Sequence, residues 1–259
     1  MANNQIKIKE DATNILQTFL GNHKDSYFII GGHAAAYNLS LQSLSFRATK
    51  DYDIVIVSEV NDGAFAHDLA ELLITGGYEF GYKSDSKKRI AYRFESPSDG
   101  RYPEIIEFFV KEGENIQSLD ERFAKLNIVV DEEKISAMVL NKDIYDFSKK
   151  HVIEINNLMF IDKPCLLALK SYAYFENLKL YKEGKVKSDD YKKHAKDILR
   201  ILLSFSESEI VDMNDLPEIL KQSLRNIIPI LTSSKDQLKT FGLSKEFITD
   251  SINSLAGIK

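Results

Sequence analysis

Apolar residues are arranged in two ways along the chain, as short continuous runs up to residue 161 and with helical spacing after it. The runs are rich in β-branched and aromatic residues and are bounded by glycine or polar clusters, which is typical of buried strands. This pattern predicts strands at residues 27–30, 51–57, 78–82, 90–95, 103–110, 151–155 and 158–161. The same region contains predicted helices at residues 9–22, after Gly31-Gly32, and from Asp62-Gly63 to Gly76-Gly77. Residues 111–150 are mixed and charged, and we predict no clear element there.

Helices are predicted for the remainder of the chain. Asp162 can cap a helix that has Pro164 in its first turn. Further helical patterns cover residues 191–205, 214–232 and 244–256. The pattern over residues 191–205 leaves four residues on the polar side of the helix, Lys193, His194, Lys196 and Asp197, and we expect His194 to be solvated rather than a ligand. The chain is therefore predicted to be an α+β protein, with a mixed β-sheet domain and flanking helices (residues 1–161) followed by a C-terminal helical domain (residues 162–259).

Composition places the chain among soluble globular proteins, with 259 residues, 44% of them apolar and 28% charged. The net charge of −5 gives no global basic field that would indicate nucleic-acid binding. The lone Cys165 lies in an apolar run and excludes an internal disulfide, which fits a reducing compartment. The first residues lack the apolar core of a signal peptide, and no stretch approaches about 18 apolar residues, so we expect a cytoplasmic protein without a membrane partner.

Two aspartates mark the start of the strand at residues 51–57. Asp51 and Asp53 share a face because side chains alternate along a strand. Like charges so close are costly unless a cation lies between them, and carboxylate oxygens suit Mg²⁺ or Mn²⁺. One strand earlier, Gly31 and Gly32 permit a tight turn into a helix, whose N-terminus favours phosphate. Together these features predict a site for a metal-bound nucleoside triphosphate.

Such a site needs a third acid, and the central-looking strand at residues 103–110 supplies candidates. Glu107 lies inside this apolar run, where a carboxylate needs a partner. We predict it as the third acid, with Glu104, near the strand start, as the reserve. The alternative is that Glu107 faces outward or pairs with a lysine or arginine.

These motifs resemble the polymerase-beta-type nucleotidyltransferase superfamily, whose pattern is a glycine pair, a D-x-D or D-x-E strand and a third acid. The likeness is closer to the AbiEii toxin family of bacterial nucleotidyltransferases, in which an arginine and a small hydroxyl residue precede D-x-D, as Arg47 and Thr49 do here. That family also has a helix with leucine-lysine followed by one with lysine-aspartate, similar to Leu169-Lys170 and Lys196-Asp197. The chain departs from that family in one respect: the second aspartate expected a few residues after lysine-aspartate is missing, and Arg200-Ile201 stands near its place.

The resemblance implies transfer of a nucleoside monophosphate from a nucleoside triphosphate such as ATP to an acceptor hydroxyl. Asp51, Asp53 and Glu107 would hold Mg²⁺ or Mn²⁺ and form the catalytic centre. The nucleotide would be bound through the glycine pair and through these further residues: Arg47, Thr49, Lys50 and Lys170. A toxin-type enzyme would act on RNA or protein and would have a cognate antitoxin as a partner.

Two other functions fit the same pattern. A small-molecule adenylyltransferase, of the kind that modifies antibiotics, would use the same core, and the acidic chain suits a cationic small acceptor. A non-catalytic nucleotide-binding or interaction module would keep the fold without the reaction. The acceptor cannot be identified from these motifs, because acceptor contacts lie outside the shared metal site.

Overall fold

A computed structural model describes residues 10–57, 63–82, 89–113, 123–130, 133–206, 210 and 212–257. The described strands are β1 Tyr27–Ile30, β2 Asp51–Ile56, β3 Glu79–Tyr82, β4 Arg89–Glu95, β5 Ile105–Lys111, β6 Phe123–Val130, β7 Glu133–Leu140, β8 Val152–Ile155 and β9 Leu158–Ile161. The described helices are α1 Glu10–Leu20, α2 Gly31–Ser40, α3 Gly63–Gly76, α4 Lys142–Lys150, α5 Lys163–Lys182, α6 Ser188–Leu202, α7 Glu218–Ser233, α8 Lys235–Phe241 and α9 Lys245–Leu255. Asp62, predicted to open α3, lies outside the described residues.

All the described strands belong to one mixed sheet with the order β3-β4-β5-β2-β1-β9-β8, and β7 pairs with both β5 and β6. Strand β2 runs antiparallel to β1 and parallel to β5. The chain therefore combines a mixed sheet with helices, which confirms the predicted α+β class. The middle strands β1, β2 and β5 are largely buried, as their apolar runs predict.

The chain divides into two compact units. The first comprises Met1–Asn38 and Ser45–Ile161 and contains the sheet. The second comprises Leu39–Leu44 and Asp162–Lys259 and contains helices α5 to α9, in which α5 packs against α6 and α7.

Local signals explain the ends of several elements. Asn156 and Asn157 adopt φ values of 50° and 57° between β8 and β9, which is the left-handed conformation required by a tight hairpin turn. The side chain of Asp162 accepts a hydrogen bond of 2.9 Å from the backbone N–H of Cys165 and so caps α5 as predicted.

The segment 111–150 is more regular than the sequence indicated, since it contains the whole of β6, β7 and α4. Asn141 caps α4 by accepting hydrogen bonds from the backbone N–H groups of Asp143 and Ile144. The expectation that His194 is solvated is wrong, because it is 8% exposed within α6, and Asp197, which the pattern assigned to the polar side, is 0% exposed. Their burial results from the packing of α6 against α5, which covers more of the helix than its apolar stripe alone.

Candidate active site

The sheet carries Asp51, Asp53 and Glu107 on one face. Strands β2 and β5 are parallel neighbours, and their register pairs Asp53 with Glu107 and Asp51 with Ile105. Because paired residues project to the same side of a sheet and alternate residues share a face, all three carboxylates lie on that side. Each is half-buried, at the edge between core and solvent.

The turn from β1 into α2 lies directly beside Asp53. Gly31 is the first residue of α2 and has φ of +73°, a conformation that favours glycine. A Cβ atom added at Gly31 would overlap the carboxylate oxygen Oδ2 of Asp53, and one added at Gly32 would overlap the Thr49 hydroxyl. The glycines therefore let Asp53 and Thr49 approach the helix N-terminus, whose dipole favours a carboxylate as it would a phosphate.

Arg93 on β4 is a residue of this face that the sequence patterns did not single out. Strand β4 pairs with β5 so that Arg93 lies opposite Glu107. Its Nη1 donates a short hydrogen bond to Glu107 Oε1, its Nε donates to Glu95 Oε2 at 3.1 Å, and its Nη2 lies 3.8 Å from Asp51 Oδ1. One guanidinium thus contacts three carboxylates. The alternative in which Glu107 pairs with a basic residue is the arrangement observed.

Opposing effects act on the charge of Arg93. Partial burial acts to lower the pKa of its guanidinium, but the hydrogen bonds to Glu107 and Glu95, together with the charges of Glu107 and Asp51, outweigh burial and raise the pKa. Arg93 is therefore a fixed positive charge on an otherwise acidic face.

The loop before β2 carries the other predicted nucleotide-binding residues of the sheet unit. Arg47 is half-buried, and its guanidinium donates to the Ala48 carbonyl at 3.0 Å and lies over the Phe46 ring. Lys50 forms an ion pair with Glu104, which raises the pKa of the lysine. The reserve acid Glu104 is thus already engaged by a neighbouring cation.

His33, the residue after the glycine pair, is 7% exposed and stacks on Tyr52 with ring centroids 3.5 Å apart. Among the described residues, neither of its ring nitrogens has a hydrogen-bond partner. Burial, assisted by the charge of Arg47, lowers the pKa of His33 to about 3. The imidazole is therefore neutral at physiological pH.

Lys170 lies in the helical unit, on α5. It is 5% exposed, and its Nζ donates to Asp197 Oδ2 on α6 at 3.0 Å. Arg200 Nη1 lies 3.8 Å from the other oxygen of Asp197. The lysine and aspartate that the sequence placed on two successive helices therefore meet as a buried ion pair inside this unit.

The donor chemistry of the acidic face suits a divalent cation. Asp51 and Asp53 present carboxylate oxygens, the ligands that Mg²⁺ and Mn²⁺ prefer. In the part of the chain that the structure describes, however, no group of three or more His, Cys, Asp and Glu side chains is placed to hold a metal ion. Glu107 already has one carboxylate oxygen engaged by Arg93, so the residues fit a metal through Asp51 and Asp53 first.

Comparison with known proteins adds no assignment. No family model matches the chain, and a search of curated proteins finds no match. Within the described residues, none of the helices is long and apolar enough to cross a membrane.

Proposed function

We propose that the protein is a metal-dependent nucleotidyltransferase with a nucleotidyltransferase-like sheet domain and a C-terminal helical domain. The observation that carries this proposal is the placement of Asp51, Asp53 and Glu107 on one sheet face, with the Gly31 turn at the N-terminus of α2 against Asp53. A carboxylate group beside a helix N-terminus combines a place for a cation with a place for phosphate.

In this proposal Asp51 and Asp53 hold the metal, with Glu107 as the third acid. The acceptor hydroxyl would attack the α-phosphorus and lose its proton to Glu107 or to water, while the bond from the α-phosphorus to the bridging oxygen breaks and pyrophosphate leaves. A metal held by these acids would supply neutralisation of the charge on the triphosphate and on the leaving pyrophosphate. The backbone N–H groups of Gly31 and Gly32 orient phosphate oxygens, which converts binding energy into alignment of the reacting groups.

The remaining proposed residues supply positive charge to the triphosphate. Arg47 and Lys50 precede the acid strand in the chain and belong to the same unit. Lys170 stays in the proposal as a residue of the helical unit that would have to exchange Asp197 for phosphate. The acceptor is RNA, protein or a small cationic molecule.

Labelled nucleoside triphosphates test the proposal directly. Each triphosphate, labelled at the α-phosphate, is incubated with the full chain, Mg²⁺ or Mn²⁺, and a panel of RNA, protein and aminoglycoside acceptors. Transfer of label that is lost in Asp53→Asn and kept in Asp25→Asn, an exposed aspartate outside the site, supports the enzyme. Equal transfer by both variants contradicts the assignment of Asp53.

The pairing of Arg93 with Glu107 also favours a second candidate, a non-catalytic nucleotide-binding module. In that case the guanidinium permanently satisfies the third acid, and the fold binds nucleotide without turning it over. Saturable nucleotide binding without transfer to any acceptor on the panel would favour this candidate.

A further inference from the structure

On the acidic face, one arginine side chain contacts three carboxylates. Arg93 is the cation that contacts Asp51, Glu95 and Glu107 there, and its side chain is only 26% exposed. Glu107, its strongest contact, is 15% exposed. Two half-buried carboxylates on neighbouring strands repel each other unless a positive charge lies near both, and the planar guanidinium, with several donors in a fork, can serve both.

Two of the carboxylates that contact Arg93, those of Asp51 and Glu107, are also proposed to hold the divalent cation. The carboxylate of Glu107 accepts a hydrogen bond from Arg93, while Oδ1 of Asp51 faces its Nη2 at 3.8 Å. A metal bound to these carboxylates would stand within a few ångström of a fixed guanidinium charge. Two cations that close repel each other, so both cannot be held at full strength by the same acids.

We propose that Arg93 is an internal counter-ion of this site, which competes with the divalent cation for Asp51 and Glu107. This inference rests on the proposed function, because it takes the acidic face to be the metal site. In the metal-free protein Arg93 keeps Asp51 and Glu107 in position. When the metal binds, the guanidinium gives up Glu107, and Glu95, its neighbour on β4, remains to hold it.

Competition predicts a direction that a purely structural arginine does not. Removing the guanidinium should strengthen metal binding although it removes a native ion pair. The expected gain is about tenfold or more, the size for deleting a unit positive charge about 5 Å from a divalent ion at high dielectric constant. A structural role predicts weaker or unchanged metal binding, since the acids would lose their alignment.

Calorimetric titration of Mn²⁺ into the nucleotide-free full chain measures this effect. The variants are Arg93→Gln, Arg93→Lys, and Arg101→Gln as a matched control, because Arg101 is an exposed arginine that pairs with Asp99. We expect Arg93→Gln to bind Mn²⁺ about tenfold more tightly than wild type, Arg93→Lys to lie between them, and Arg101→Gln to match wild type.

A melting curve with and without Mn²⁺ gives a second readout. Arg93→Gln should melt below wild type in metal-free buffer, because the carboxylates lose their counter-ion, and should gain more from Mn²⁺ than wild type does. If Arg93→Gln does not fold, Arg93→Met, which also removes the charge and keeps the aliphatic stem, decides: tighter Mn²⁺ binding than wild type supports the competition, and equal or weaker binding overturns it.

The outcomes separate this inference from the proposed function. Mn²⁺ binding of equal strength in wild type and Arg93→Gln overturns the competition and leaves the metal site standing. Mn²⁺ binding only in Arg93→Gln supports the competition in its strongest form. Failure of wild type and both Arg93 variants to bind Mn²⁺ overturns the metal site and the competition together.

Discussion

A single buried imidazole makes stability sensitive to pH. His33 is stacked on Tyr52, and burial lowers its pKa from 6.5 to about 3. Between about pH 6.5 and pH 3, His33 is therefore protonated in the unfolded chain but stays neutral in the folded chain. Stability from the neutral imidazole is fully present above pH 6.5 and is lost as pH falls through this window, by at most about 1.4 kcal/mol per pH unit.

Replacing His33 with phenylalanine should remove this dependence while keeping an aromatic ring on Tyr52. We expect the difference in unfolding free energy between pH 7 and about pH 5 to be smaller in His33→Phe than in wild type by about 1–2 kcal/mol. Urea unfolding at the two pH values measures it. His67→Gln, at a histidine whose side chain is 72% exposed, is the comparison. The same pH dependence in wild type and His33→Phe would mean that the imidazole is not the titrating group.

At the scale of single residues, the sequence indicated the acids and glycines but not their partners. The alternation of Asp51 and Asp53 is a local property of one strand, so their shared face was predictable. The overlap of a Gly31 Cβ with Asp53 depends on the pairing of β1 with β2, which no local pattern contains. The same limit hid the stacking of His33 on Tyr52.

At the scale of elements, strand register decided whether Arg93 could be recognised. A two-residue turn centred on Asp99 and Gly100 would pair Arg93 with Ile106, on the face away from Glu107. The observed register pairs Arg93 with Glu107 instead. A shift of one residue exchanges the two faces of a strand, so turn residues alone could not assign Arg93 to the acidic face. The alternation of Arg93 and Glu95 was the only local signal.

Packing between helices α5 and α6 changes the expectation for Lys170. A lysine at the edge of a helix's apolar face usually keeps its ammonium group in water, and its replacement there would cost little stability. Lys170 is instead buried and bonded to Asp197, which is 0% exposed. Removal of one partner from a buried ion pair leaves a charge in a poorly solvated place and costs about 3–5 kcal/mol.

We therefore expect Lys170→Met to lower the unfolding free energy by about 3 kcal/mol, moderated by Arg200 near the second oxygen of Asp197. The double variant Lys170→Met/Asp197→Leu should be more stable than Lys170→Met, because it leaves no buried charge unpaired. Urea unfolding of both and of Lys196→Met, at an exposed lysine of α6, measures the effect. If Lys170→Met is as stable as Lys196→Met, the ion pair contributes nothing to folding, and the variant becomes a clean probe of phosphate binding.

At the scale of the whole molecule, the change from short apolar runs to helical spacing near residue 161 matches the observed distribution of strands and helices. The strand order was not predictable, because β2 pairs with β5 across an intervening helix and two further strands. That pairing creates the candidate site by bringing Asp53 opposite Glu107. The candidate acids could therefore be recognised in separate segments of the sequence, but their proximity depends on strand pairing in the fold.

A nucleotide bound at the site formed by Asp51, Asp53 and Glu107 should stabilise the chain, since a ligand that binds only the folded state shifts the unfolding equilibrium towards that state. At about a hundred times its dissociation constant the gain is about 2.7 kcal/mol. We expect Mg²⁺ with a non-hydrolysable triphosphate to raise the melting temperature of wild type and of Asp25→Asn, and to leave Asp53→Asn unchanged. Asp25 is exposed, whereas Asp53 lies against the Gly31 turn, so the two variants differ in position and not in chemistry. If Asp53→Asn shows a melting-temperature shift as large as that of wild type, the nucleotide binds elsewhere. The reason is that a neutral amide at position 53 would hold Mg²⁺ more weakly than the charged carboxylate does.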